Sequence, residues 1–161
     1  MKRCRRLRDE RGETLIEILV AIAIRGIGAV AILAGLQVSI RVSDIHRKEA
    51  TGGAYVRSAA EAVSTYVGAA VTNYKACAGA NYYSAQPSLA LTLPPGYVLT
   101  QAAAEKWSGT AWISPCSSDN GVQRVKLTVT SPSTSGGTAA ETLYLVLRQP
   151  CNGTSATPCT S

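Results

Sequence analysis

From Thr14 to Ile40 the chain is apolar almost without interruption, with Glu17 and Arg25 as the two ionisable residues. As a helix rising about 1.5 Å per residue, this stretch spans roughly 40 Å, enough for a hydrocarbon core of about 30 Å. After a polar segment, "RVSDIHRKEATGG", the pattern becomes amphipathic: Val56, Ala60, Val63, Val67, Ala70 or Val71, and Tyr74 recur at three- and four-residue steps, one stripe of a helix. No proline occurs before Pro87. The pattern therefore predicts one helix from about Glu13 to about Lys75, with fraying or a bend near Gly52-Gly53, since glycine costs a helix about 1 kcal/mol relative to alanine.

Beyond Ala76 the pattern changes to loops and short strands. "CAGANYYSAQPSLALTLPPG" reads as a loop. Tyr97, Leu99, Ala103 and Trp107 fall on one face of a strand, interrupted by Gln101 and Glu105. A Ser-Gly turn in "WSGTAW" separates Trp107 from Trp112. Val125, Leu127 and Val129 alternate with Arg124, Lys126 and Thr128, and Leu143, Leu145 and Leu147 alternate with Tyr144, Val146 and Arg148. The expected fold is α+β: a long N-terminal helix, membrane-spanning in its first half and amphipathic in its second, packed on a small antiparallel sheet of three or four strands whose other face is polar. In segments, residues 1–12 form a basic leader, 13–40 the membrane helix, 41–76 the amphipathic helix and 77–161 the sheet domain.

Charge changes this picture by its position. The net charge is +6. Lys2, Arg3, Arg5, Arg6, Arg8 and Arg11 precede Gly12 with only Asp9 and Glu10 against them, so the remainder carries just +2 (ten bases, eight acids). Bulk charge thus speaks against a nucleic-acid partner, although it does not exclude DNA uptake. A basic head before an apolar run keeps the N-terminus inside and places the following domain outside the cytoplasm. Cys77, Cys116, Cys151 and Cys159 then lie in an oxidising compartment, and Cys4 does not. Four cysteines allow three pairings. Cys77 with Cys116 and Cys151 with Cys159 is the expected one; Cys116 with Cys151 and Cys77 with Cys159 stays open. Such bridges would help a small core that has no phenylalanine.

The leader ending in Gly12, then "ETLIEILVAIAI", a long helix and a small sheet resemble type IV pilins and pseudopilins. Their class III signal runs glycine, a hydrophobic residue, T-L-x-E and an apolar stretch, and Gly12, Thr14, Leu15, Glu17 and the run Ile18 to Ile24 match it. The region around "GVQRVKLTVT" and "ETLYLVLRQ" is also similar to the C-terminal sheet of actinobacterial pilin-like proteins. The resemblance implies cleavage after Gly12 by a membrane prepilin peptidase, N-methylation of the new terminus at Glu13, and assembly with other pilin or pseudopilin subunits. Glu17 would neutralise the N-terminal amine of a neighbouring subunit. Lipid surrounds the helix before assembly, and the mature domain is displayed in a pilus or pseudopilus. Two residues depart from the pattern: Glu13 stands where an apolar residue is usual, and Arg25 interrupts the apolar run. Arg25 either pairs with Glu17 or Glu13 of a neighbour or snorkels to the interface. Its cost at high copy favours a minor subunit.

Other readings explain less. An ordinary secretory signal, cut within "VAILAG", leaves Glu17 and Arg25 inside its apolar region unexplained. A signal-anchored surface binding domain that never polymerises accounts for the span but not for Gly12-x-Thr-Leu-x-Glu. No triad, metal spacing or phosphate loop supports an enzyme, a metal or another cofactor. His46, the single histidine, reads as a solvated helix residue; Trp107 and Trp112 read as cover for the end of the sheet.

Overall fold

The computed structural model describes residues 13–133 and 137–151. It is an α+β structure: helix α1 (Glu13–Ala69), short 3-10 turns at Val71–Asn73 and Pro87–Leu89, and strands β1 (Val98–Gln101), β2 (Glu105–Trp107), β3 (Trp112–Ile113), β4 (Val122–Thr130) and β5 (Ala140–Arg148). The chain divides into two units, one reaching Ser43 and one starting at Asp44.

The first unit is helical from Glu13 onward, and every side chain from Leu15 to Ser43 is exposed. Leu15, Ile16, Ile18, Leu19, Ile22, Ile24, Ile27, Val30, Ile32 and Leu33 all stand open at 58% or more of their full exposure. Together they make a helix long and apolar enough, by length and composition, to cross a membrane.

In the second unit β4 is the central strand and every pairing is antiparallel. β5 runs along one edge from Val122↔Arg148 to Thr130↔Ala140. Along the other edge β1 and then β2 share the length of β4, and β3 pairs outside β2. Val125, Leu127 and Val129 are fully buried, as their alternation predicts. They pack beneath Val56, Ala59, Ala60, Val63 and Val67 of α1, in two adjoining apolar clusters. Burial on this scale is the main stabilising term in a unit this small.

Four details differ from the sequence pattern, each for a physical reason. The helix ends at Ala69 and not near Lys75: Ala70 adopts extended backbone, and the Asn73 side-chain amide turns back to donate to the Tyr66 carbonyl at 2.8 Å. That bond satisfies one of the carbonyls a helix end leaves unpaired. Tyr74 therefore reaches the core from beyond the 3-10 turn. At Gly52-Gly53 the helix continues unbroken. A β-carbon on Gly52 would lie 3.2 Å from the Glu141 Cγ, so glycine is what lets α1 lie this close to β5.

The third difference is a β-bulge. The Ala102 amide bonds the Lys126 carbonyl at 2.9 Å, and Glu105 pairs with Arg124. Ala103 and Ala104 are thus both set against Val125, two residues against one. Side-chain parity flips there: Ala104 is buried, Ala103 is exposed, and Trp107 turns onto the face opposite Leu99. The fourth follows from it. The outer face of the sheet is not simply polar, because Trp107 and Trp112 join Tyr144 and Val146 on it.

Candidate functional site

Glu17 and Arg25 sit on the apolar helix of the first unit, both exposed. Neither takes part in an ion pair among the described residues, whose pairs involve Asp44, His46, Arg47, Lys48, Glu49, Glu105 and Arg124. Ion pairs along one helix form at three or four residues' spacing. Eight residues separate these two, so they cannot satisfy each other within one chain. On insertion scales an unpaired Arg or Asp at mid-bilayer costs about 2.5–3.5 kcal/mol. A cost of this order is relieved by a counter-charge or by snorkelling to the interface. Gly12 lies outside the described residues, and Glu13 opens α1.

The helix's chemistry is local to its sequence, and a family comparison reads it directly. Residues 7–33 match the family model described as the prokaryotic N-terminal methylation motif. The chain carries the type IV pilin and pseudopilin signature. The match covers Gly12, Glu13, Glu17 and Arg25 and ends within the apolar run. No curated protein and no solved structure matches the chain. A pilin-type motif followed by an exposed apolar helix fits a membrane-anchored protein that a prepilin peptidase processes and that assembles with other pilin subunits.

The cysteines belong to the second unit. Cys77 and Cys116 form a disulfide, with Cα atoms 5.3 Å apart, one of the two expected bridges. Cys151 is also disulfide-bonded; Cys159, its expected partner, lies outside the described residues. Asp119 organises the bridge, since one carboxylate oxygen accepts the Cys77 amide at 2.8 Å and the other the Gly121 amide at 2.9 Å.

Sequence reasoning missed the polar groups that hold the loop after α1. Gln101, read as an interruption, is buried on the core face. Its side-chain oxygen accepts the Tyr83 and Ser84 amides at 2.8 and 3.2 Å, and its nitrogen donates to the Gly79 carbonyl at 3.2 Å. Gln123, fully buried on β4, accepts the Ala78 amide at 3.0 Å. Its nitrogen donates to the Lys75 carbonyl at 2.8 Å and the Tyr83 hydroxyl at 2.9 Å. The signal was present: Gln123 has the parity of Val125, Leu127 and Val129. On the outer face Arg124 donates through Nε and Nη2 to one Glu105 carboxylate oxygen, the former at 2.8 Å. Its guanidinium lies 5.0 Å from the Trp112 ring and 4.7 Å from the Tyr144 ring, a cation held between two aromatic faces.

Burial raises the pKa of Tyr74 and of Tyr83 above the ordinary tyrosine value, and the nearby Asp119 charge adds to both shifts. The Tyr74 hydroxyl is buried beside Asp119 outside hydrogen-bonding geometry. Unfolding frees these hydroxyls to ionise above about pH 10, while the folded state keeps its protons. The unfolded state then binds fewer protons, so stability is full below pH 10 and falls as pH rises beyond it. Tyr74→Phe removes an unpaired buried hydroxyl. It is expected to leave stability at pH 7 within about 1 kcal/mol of the parent or above it and to flatten the alkaline decline in a pH series of urea titrations.

Proposed function

We propose that this chain is a minor pilin or pseudopilin subunit, stored in the cytoplasmic membrane with its N-terminus inside and its sheet domain outside. A prepilin peptidase cuts after Gly12, and Glu13 becomes the N-methylated terminus. The helix then carries the subunit into a filament, where Glu17 neutralises the terminal amine of a neighbour. The observation that carries this reading is Glu17 itself: a carboxylate five residues past Gly12 on a fully exposed apolar helix, inside the matched motif. A carboxylate there is costly in lipid and is tolerated once paired. Arg25 supports the minor assignment, because each of the subunit's neighbours must also accommodate a buried cation. In this role the chain is a substrate for processing enzymes and a structural element, not a catalyst.

Mass spectrometry of the membrane-purified protein, co-expressed with a prepilin peptidase, tests the reading. A mature N-terminus at Glu13 is expected, and Gly12→Val is expected to leave the leader attached in essentially all molecules. An intact Met1 in the presence of active peptidase, or cleavage near Ala34, overturns it. One observation favours a second reading, a signal-anchored surface binding domain that does not polymerise: the exposed Trp107, Tyr144 and Val146 on the outer sheet face. The same spectrum separates the two, since that domain needs no cut at Gly12.

A further inference from the structure

We propose that Arg25 of one copy pairs with Glu17 of a second, parallel copy, so that adjacent helices pack with a fixed stagger of eight residues. This rests on the pilin-type reading and adds to it the partner and geometry of the helix contact. Eight residues correspond to about 12 Å along the axis and about 80° around it. The two charges therefore address different neighbours. Arg25 of one helix meets one carboxylate oxygen of Glu17 on the next, whose other oxygen is left to a terminal amine and whose own Arg25 remains available to a third. Such a contact is heterologous and leaves its ends open, the geometry that propagates into filaments.

Two independent features support this occupant. The first is charge complementarity: the exposed span from Leu15 to Ile40 holds one anion and one cation, and neither has an ion-pair partner among the described residues. Parallel copies in register would set Arg25 against Arg25 and Glu17 against Glu17. The eight-residue stagger replaces both repulsions with one attraction. The second is steric: one helical turn to either side of Arg25 stand Ala21, Gly28 and Ala29. Nothing lies within 4 Å of where a Gly28 β-carbon would be. Small residues let two helix backbones approach closely in lipid, which brings the arginine within reach of the facing carboxylate.

The test uses the full chain in a bacterial membrane, as two differently tagged copies, in a Cys4→Ser background. Glu17→Arg alone and Arg25→Glu alone are each expected to reduce co-purification of the copies at least about tenfold. Arg25→Lys, which keeps the cation and leaves Glu17 in place, is expected to retain it to within about twofold of the parent. An Ala21→Cys copy should cross-link on oxidation to an Ala29→Cys copy more than either does to itself. That measurement holds even where the charge variants insert poorly. An Arg25→Glu variant that co-purifies like the parent, or cross-linking strongest between identical positions, overturns the proposal. Restoration by Glu13→Arg with Arg25→Glu also overturns it, because the stagger would then be twelve residues. The parent reading fails differently: it falls if processing at Gly12 is absent, whereas a mature chain whose copies ignore the Arg25→Glu reversal removes only the stagger.

Discussion

Replacing Gln123 with leucine is expected to destabilise the unit that starts at Asp44 by about 1–3 kcal/mol, although leucine is the more apolar residue and the site is fully buried. The reason is what the amide leaves behind. Its oxygen is the acceptor for the Ala78 amide and its nitrogen a donor to the Lys75 carbonyl, and both partners belong to the loop that follows α1. A buried backbone group without a partner costs about 1–3 kcal/mol; leucine leaves the Ala78 amide without one, while the Lys75 carbonyl keeps the Tyr83 hydroxyl. The Tyr83 hydroxyl suffers less, because it retains the Lys75 amide at 3.0 Å and the Lys75 carbonyl at 3.3 Å. Gln123→Glu keeps an acceptor for Ala78 but sets a carboxylate against the Lys75 carbonyl, so it too is expected to be destabilising. Urea unfolding of the full chain in detergent, followed through Trp107 and Trp112 fluorescence, reads the effect as a lower midpoint at unchanged slope. A Leu variant as stable as the parent would show that the orphaned Ala78 amide finds water or that the loop is already loose.

The contrast between Gln123 and its neighbours shows where the sequence is transparent. β4 and β5 were legible because period-two alternation reports burial on one face directly, and Val125, Leu127 and Val129 behave as that rule requires. The stripe from Val56 to Val67 was legible for the same reason at helical period. Gln101 and Gln123 were not, because polarity alone cannot distinguish a solvated side chain from one that terminates loop hydrogen bonds inside the core. Both sit at core parity; the deciding information lies in a loop distant in sequence. Trp107 was lost to the bulge at Ala103-Ala104, a one-residue shift that inverts every later side chain on the strand. The end of α1 falls where Val71, Thr72, Asn73 and Tyr74, residues of modest helix propensity, meet the local Asn73 cap on Tyr66, which the hydrophobic stripe does not report. The N-terminal site was the most legible part, since its signal is a contiguous motif and needs no fold to be recognised. Arg25 was visible too, but a single chain shows no ion-pair partner for it among the described residues.

Removing the Cys77–Cys116 bridge is expected to cost about 4 kcal/mol, the loop-closure value for a separation near 40 residues; here the separation is 39. The bridge joins the segment after α1 to the loop before β4, where Asp119 already binds the Cys77 and Gly121 amides. Cys77 also holds a positive φ of 48°, a left-handed conformation that a non-glycine residue adopts only when its surroundings compel it. Without the bridge, the Asp119 bonds alone must hold this turn, and the cover over Tyr74 and Ala78 loosens with it. The paired variant Cys77→Ala with Cys116→Ala is therefore expected to unfold at much lower urea than the parent, and reduction of the parent, which also opens the bridge at Cys151, should lower the midpoint at least as far. The same variant should still be cut after Gly12, because the motif at residues 7–33 is read from local sequence on the other side of the apolar span. Mature protein with a fragile sheet domain is the expected result. Loss of processing in this variant would mean that the peptidase senses the folded state of the domain, and that the two units are less independent than their separate chemistries imply.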